Sequence, residues 1–208
     1  MAMHSTAGFS LTETVVTVGL GAVVGGTILT AWLSQEKVNQ ALRRQMRVGA
    51  LQQRALDRIQ RDVNRSSTIS ATPLSAIPAC NLEGRLPVLH LTLRKPSSTA
   101  TAPTITYSVG SASAPWLGKV LMRCAPDPNA SGSARNHVLI DGLSSTPTTW
   151  SGCSRVLGTA GIDLAGSAQH PFSACRHPNL AINSVAVRLQ LDGTTSSSKS
   201  ERLINGSL

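Results

Sequence analysis

One stretch, Phe9 to Leu33 (FSLTETVVTVGLGAVVGGTILTAWL), constrains this chain more than any other feature, because its only charged residue is Glu13. It exceeds the ~20 residues that a helix needs to cross a bilayer. A carboxylate at the centre of a membrane costs roughly 2.5 kcal/mol or more, so one inside such a segment normally has a partner or a function. The stretch does not read as a secretory signal peptide: it is too long, no basic residue precedes it, and no small-x-small cleavage site closes it. Trp32 stands where an interfacial anchor belongs, and Lys37, Arg43, Arg44 and Arg47 follow. Charge bias alone would put that basic flank in the cytoplasm. Glu13 would then snorkel to the interface, as in an ordinary single-pass anchor.

Beyond Trp32 nothing ends the helix before Ser66-Ser67-Thr68 and Pro73; only Gly49 intervenes, and no proline does. Val38, Leu42, Gln45/Met46, Gly49, Leu56, Ile59 and Val63 form one stripe at mostly three- and four-residue steps, interrupted at Gln52/Gln53. The expectation is a single helix of about 80 Å at 1.5 Å per residue, apolar all round in its first half and amphipathic in its second. Gly21-x-x-x-Gly25 has the small-xxx-small spacing that lets helices approach closely. The alternative use of Gly19, Gly21, Gly25 and Gly26 is to ease local unwinding.

After Pro73 the hydrophobic period changes to two. Val88–Lys95 alternates, and Thr104–Val109, Gly118–Cys124, His137–Leu143 and Ser184–Leu191 read as further strands. Val185, Val187, Leu189 and Leu191 share a face, while His90 takes an outward position on its strand. Pro96–Pro103, Ala125–Arg135, Ser144–Pro147 and Gly158–Pro178 read as loops, and Gly193–Leu208 as a loosely held tail apart from Arg202–Ile204. One long helix followed by an antiparallel sheet is an α+β arrangement. With aromatics at 3%, its core must be built from Val, Leu, Ile and Ala.

Cys80, Cys124, Cys153 and Cys175 all lie beyond the apolar segment, and none is in a CxxC pair. An even count in an exported domain implies two disulfides; of three pairings, nearness in the chain favours Cys80–Cys124 and Cys153–Cys175. Cys153, His170, Cys175 and His177 cluster, but their spacing fits no standard zinc pattern, so no metal is expected.

The net charge of +9 is concentrated: Ser34–Arg65 holds eight Lys/Arg against Glu36, Asp57 and Asp62. A solvated helix face beside anionic lipid accounts for this. Contact with nucleic acid is the lesser reading, since no aromatics are interleaved to stack on bases. Ser196-x-x-Lys199 sits in a low-complexity run without supporting motifs, and no nucleophile–base pair or phosphate-cradling loop accompanies it. The expectation is a protein that is not an enzyme and carries no cofactor.

Gly8-Phe9-Ser10-Leu11-Thr12-Glu13, with the apolar run that follows at once, resembles the processing site of type IV prepilins and pseudopilins. The resemblance implies that prepilin peptidase removes residues 1–8 after Gly8, that Phe9 is N-methylated, and that Phe9 and Glu13 act in filament assembly. It implies a pilin-like fold: residues 9–34 as membrane anchor and then filament core, 35–66 as an amphipathic helix packed on a sheet, and 67–208 as a disulfide-bonded β-rich head. It also implies an exported head, opposite to what charge bias suggests, with the chain held in the inner membrane before joining a pilus or pseudopilus. More weakly, Arg54–Asn64, Thr104–Tyr107, Val120–Cys124 and Val138–Leu143 are similar to the large minor subunits of the W and J types. The implied function is a minor pilin or pseudopilin that primes, or is built into, a type IV pilus or type II secretion filament with other pilin subunits. The alternative is a pilus-tip adhesin or DNA-uptake module on the same scaffold.

Overall fold

The computed structural model describes residues 10–72, 80–94, 102–127, 133–192 and 198–206. In chain order the elements are α1 (Leu11–Arg65), β1 (Ser66–Ser70), β2 (Arg85–Leu93), β3 (Thr104–Ser111), β4 (Lys119–Pro126) and β5 (Ala134–Leu143). There follow α2 (Cys153–Leu157), β6 (Ile162–Asp163), a 3-10 turn at Ser167–Gln169, β7 (Phe172–Arg176), β8 (Ser184–Leu191) and β9 (Ser198–Asn205). The class is α+β. The chain divides into two compact units, one ending at Arg47 and one spanning Val48–Leu208, and α1 contributes residues to both.

Within the second unit, β1 to β5 form an antiparallel meander in chain order. The meander joins a second group of strands at one pair only, Leu143↔Leu191, where β5 meets β8. Along the rest of its length β8 pairs with β7 on one edge and β9 on the other. A junction that narrow lets the sheet curl, so both groups of strands face the last turns of α1. Ala55, Leu56, Ile59 and Val63 of α1 are buried in one cluster with Leu89, Leu91, Ile105, Val109, Leu121 and Ile140 of the meander. Phe172, Val187, Leu189 and Ile204 of the second group complete it. This core is aliphatic, as the composition requires; Tyr107 and Phe172, with ring centroids 6.4 Å apart, are its aromatic members.

The other face of β7 and β8 is covered as well. Trp150, Cys175 and Ala186 form a second, smaller cluster with Cys153, Val156 and Leu157 of α2 against it. The structure pairs Cys153 with Cys175 and Cys80 with Cys124, at Cα separations of 6.2 and 6.0 Å. Gly161 passes so close to the first bridge that an added Cβ would collide with Cys153 Sγ and Leu157 Cδ1, so only glycine fits there.

Several expectations are corrected here. His90 is buried, not outward-facing, because both faces of β2 are covered between Val88 and Leu91. Gly158–Pro178 is not one long loop: it holds β6, the 3-10 turn and β7, whose Phe172 and Cys175 are fully buried. Within the tail expected to be loosely held, Ser198–Asn205 pairs with all of β8, while residues 193–197 and 207–208 lie outside the described residues. The α1 stripe also differs. Gln52 lies in it, exchanging hydrogen bonds with Ser198 (3.3 Å from Nε2 to the carbonyl, 3.1 Å from Ser198 Oγ to Oε1). Val38, Leu42 and Met46 are exposed. Helix α1 stops at Arg65, and Ser66, expected only to end it, opens β1 while its hydroxyl donates to the Val63 carbonyl.

Ile59 is fully buried where helix and sheet meet. Ile59→Ala should therefore cost about 2–5 kcal/mol in chemical denaturation of the full-length chain. The same truncation at exposed Leu42 should stay within about 0.5 kcal/mol.

Candidate functional site

Two features carry chemistry: the N-terminal apolar helix with its one carboxylate, and a polar network buried under the end of the same helix. In the first, residues Leu11–Thr30 are long and apolar enough to cross a membrane, with mean hydropathy 1.5 and no part buried. Leu11, Val15, Val18, Leu20, Val23 and Ile28 are all at least 59% exposed. An apolar surface of this length makes the segment a candidate membrane span or signal segment. Polar side chains in the segment are turned inward on the backbone: Thr17 Oγ1 donates to the carbonyls of Glu13 (2.5 Å) and Thr14 (3.1 Å), Thr27 to Val24 (2.9 Å), and Thr30 to Thr27 (2.9 Å). With their hydroxyls bonded to their own helix backbone, these threonines need no hydrogen-bond partner from outside the helix. A Cβ added at Gly19, Gly21, Gly25 or Gly26 would meet nothing within 4 Å, so no contact within the chain accounts for these glycines.

Gly8 and Phe9, the expected processing residues, lie outside the described residues. Glu13 is in the first turn of α1, where a carboxylate opposes the positive end of the helix dipole. Its Oε2 accepts from the Ser10 backbone N–H at 3.2 Å, while the Ser10 carbonyl receives the N–H groups of Glu13 (3.0 Å) and Thr14 (3.2 Å). This is the glutamate half of a capping box, and the signal for it, Ser10-x-x-Glu13, stands in the sequence. One carboxylate oxygen is thus engaged within the chain, and an exposed Glu13 keeps the capacity to accept from a second donor.

Asp62 is the centre of the second feature. It is 2% exposed and accepts the Tyr107 hydroxyl at 2.6 Å, Arg123 Nε at 2.5 Å and Arg123 Nη2 at 3.1 Å. Arg58, one turn earlier on α1, stands 3.8 Å away and is partly exposed. Tyr107 and Arg123 face each other in the β3–β4 register, so strand pairing presents both to the same helix residue. Burial, and next the negative charge of Asp62, push the Tyr107 phenol well above its ordinary range, so it remains a donor. For Arg123 burial works against the charge, but the Asp62 bonds outweigh it and raise the pKa. Sequence reading counted Asp62 among the charges of a solvated face; the signal it lacked was the Asp at a three-residue step from Ile59.

His90 is a buried residue of β2, its Nδ1 2.9 Å from the Thr106 hydroxyl and its Nε2 buried without a partner. Burial lowers its pKa below the ordinary 6.5. Of the other histidines considered, the His170 carbonyl accepts from Arg188, and His177 Nδ1 accepts from the Asn179 N–H. Cys153 and Cys175 are both taken up by their disulfide, which removes the two thiols from the cluster weighed as a metal site. Among the described residues no group of three His, Cys, Asp or Glu could hold a metal. Ser196 lies outside them, and Lys199 is an exposed β9 residue. Arg54, Arg58, Arg61, Arg123 and His137 line a cavity of about 380 Å³, a basic feature that bears on nucleic acid; no Phe, Tyr or Trp lines it.

No family model, no curated protein and no solved structure matches this chain.

Removing Asp62 leaves Arg123 charged and buried, so Asp62→Ala should cost about 3–5 kcal/mol in denaturant titrations. The triple variant Asp62→Ala/Tyr107→Phe/Arg123→Met should recover most of that loss, because no charge is then stranded. A depressed His90 pKa adds stability at pH above 6.5, the unfolded value, that is lost as pH falls toward the folded one. Urea midpoints should therefore drop as the pH falls below 6.5, and His90→Gln should flatten that slope.

Proposed function

We propose that this chain is a minor pilin or pseudopilin, a structural subunit that joins or primes a type IV pilus or type II secretion filament after its leader is removed. One observation carries the reading. An exposed apolar helix, charged only at a glutamate in its first turn, continues in the same element into the residues that pack on a disulfide-bonded sheet. In an anchor for lipid alone that glutamate only caps its own helix. In a helix that passes from lipid into a bundle of like helices it gains a second role, because a carboxylate there can meet the amino terminus of a neighbouring subunit. Glycines without contacts inside the chain suit close helix–helix approach in that bundle.

Partners on this reading are prepilin peptidase, other pilin subunits and, before assembly, the inner membrane. Two disulfides in the Val48–Leu208 unit support its export to an oxidising compartment. A second reading, a tip subunit that binds DNA or a surface, rests on the arginine-lined cavity of α1. It predicts strong loss of DNA affinity with rising salt, where the structural reading predicts no DNA binding.

Expression of Gly8→Val in cells with an active prepilin peptidase should leave the precursor uncut. Glu13→Ala should be processed and should fractionate with the inner membrane, yet be poorly recovered with partner subunits in a pull-down. Normal recovery of Glu13→Ala would remove the pairing of Glu13 with a neighbouring amino terminus.

A further inference from the structure

A cavity of about 360 Å³ opens between the segment before α2 and the strands β8 and β9, remote in sequence from the apolar helix. Trp150 and Arg188 line it, and they are 6% and 2% exposed. Trp150 Nε1 and Arg188 Nε are buried donors with no acceptor, two of the three such side-chain atoms among the described residues. Leaving a buried donor unmet costs about 1–3 kcal/mol, so two at one cavity call for an acceptor.

The rest of the site is held in place. Arg188 Nη2 donates to the Ala168 carbonyl (3.3 Å), the His170 carbonyl (3.1 Å) and Ser173 Oγ (2.9 Å), and the guanidinium carbon lies 5.8 Å from the Trp150 ring centroid. These bonds fix the guanidinium plane and leave its Nε–H uncommitted. Gly152 leaves free the space beside the indole N–H that a side chain would fill: an added Cβ would lie 2.7 Å from Trp150 Nε1 and 3.1 Å from Glu201 Oε2. Arg155, Arg188 and Lys199 line the cavity against the single carboxylate of Glu201, which accepts from Arg155 at 2.9 Å and stands opposite Arg188 in the β8–β9 register.

We infer that this cavity binds a small hydroxylated carboxylate, of which a uronic acid is the simplest example. The two coplanar oxygens of a carboxylate suit two single N–H donors, and the excess positive charge favours the anion. Glu201 and the Ser151 hydroxyl lie in the same lining and can accept from ligand hydroxyls. The volume is at the lower end of the range for small-molecule sites, about 300–1,000 Å³.

The test is an NMR titration of the full-length chain in detergent micelles, following the indole N–H resonance of Trp150, identified by its loss in Trp150→Phe. Galacturonate should shift it saturably, and galactose should not. Lys199→Gln, an exposed change that leaves the fold intact, should weaken the apparent affinity about 2–5-fold, the range of an exposed ion pair. Gly152→Val should abolish the shift. A resonance unmoved by galacturonate, moved equally by galactose, or moved by inorganic phosphate alone would overturn the assignment.

Discussion

Asp62 brings a negative charge into a mainly aliphatic core, and side chains from two strands converge on it. Removing a carboxylate from water costs several kcal/mol, offset only if its oxygens are fully engaged. Tyr107 and Arg123 supply three hydrogen bonds between them, with Arg58 nearby. The consequence is directional. Ala55, Leu56, Ile59 and Val63 could pack against the sheet in several neighbouring rotations and registers, because aliphatic contacts are tolerant. The Asp62 bonds accept one of them, and in doing so they set the side of α1 that carries Arg54 and Arg61.

A core with two aromatic members needs other means to become rigid, and two are visible. Disulfides close the chain between Cys80 and Cys124 and between Cys153 and Cys175, each typically worth about 2–4 kcal/mol. The last strand closes the sheet from the other end. Ser198–Asn205 lies along β8 and reaches back to α1 through Gln52–Ser198 and the 2.6 Å pair Arg202–Asp57. The last turns of α1 and strand β9 are thereby held in the same unit although well over a hundred residues separate them.

The helix, the strands β2 to β5 and β8, and the aliphatic core were legible because each rests on local periodicity or on composition. What escaped depended on partners distant in the chain. Ser198–Asn205 has a polar exterior and lies beside a Ser/Thr run, so only its pairing with β8 makes it a strand. His90 alternates as an outward residue would, but β2 is covered on both faces and period two then no longer tells inside from outside. Asp62 and Gln52 were misread for a related reason: a polar residue in an apolar stripe is an interruption until its partner is known. Of the site residues, Glu13 was singled out by its cost in an apolar segment, whereas its bond to Ser10 followed a spacing that was present and not used. Trp150 and Arg188 had no signal in the sequence, since the orphaned donors arise only from how β8 and the segment before α2 meet.

The central functional claim is that an apolar helix with Glu13 in its first turn belongs to a subunit processed immediately before Phe9. Intact-mass spectrometry of the protein purified from membranes of cells with an active prepilin peptidase tests it most directly. The expected product is a mature chain that lacks residues 1–8, begins at Phe9 and carries one added methyl group. A protein that still begins at Met1 in those cells would contradict it.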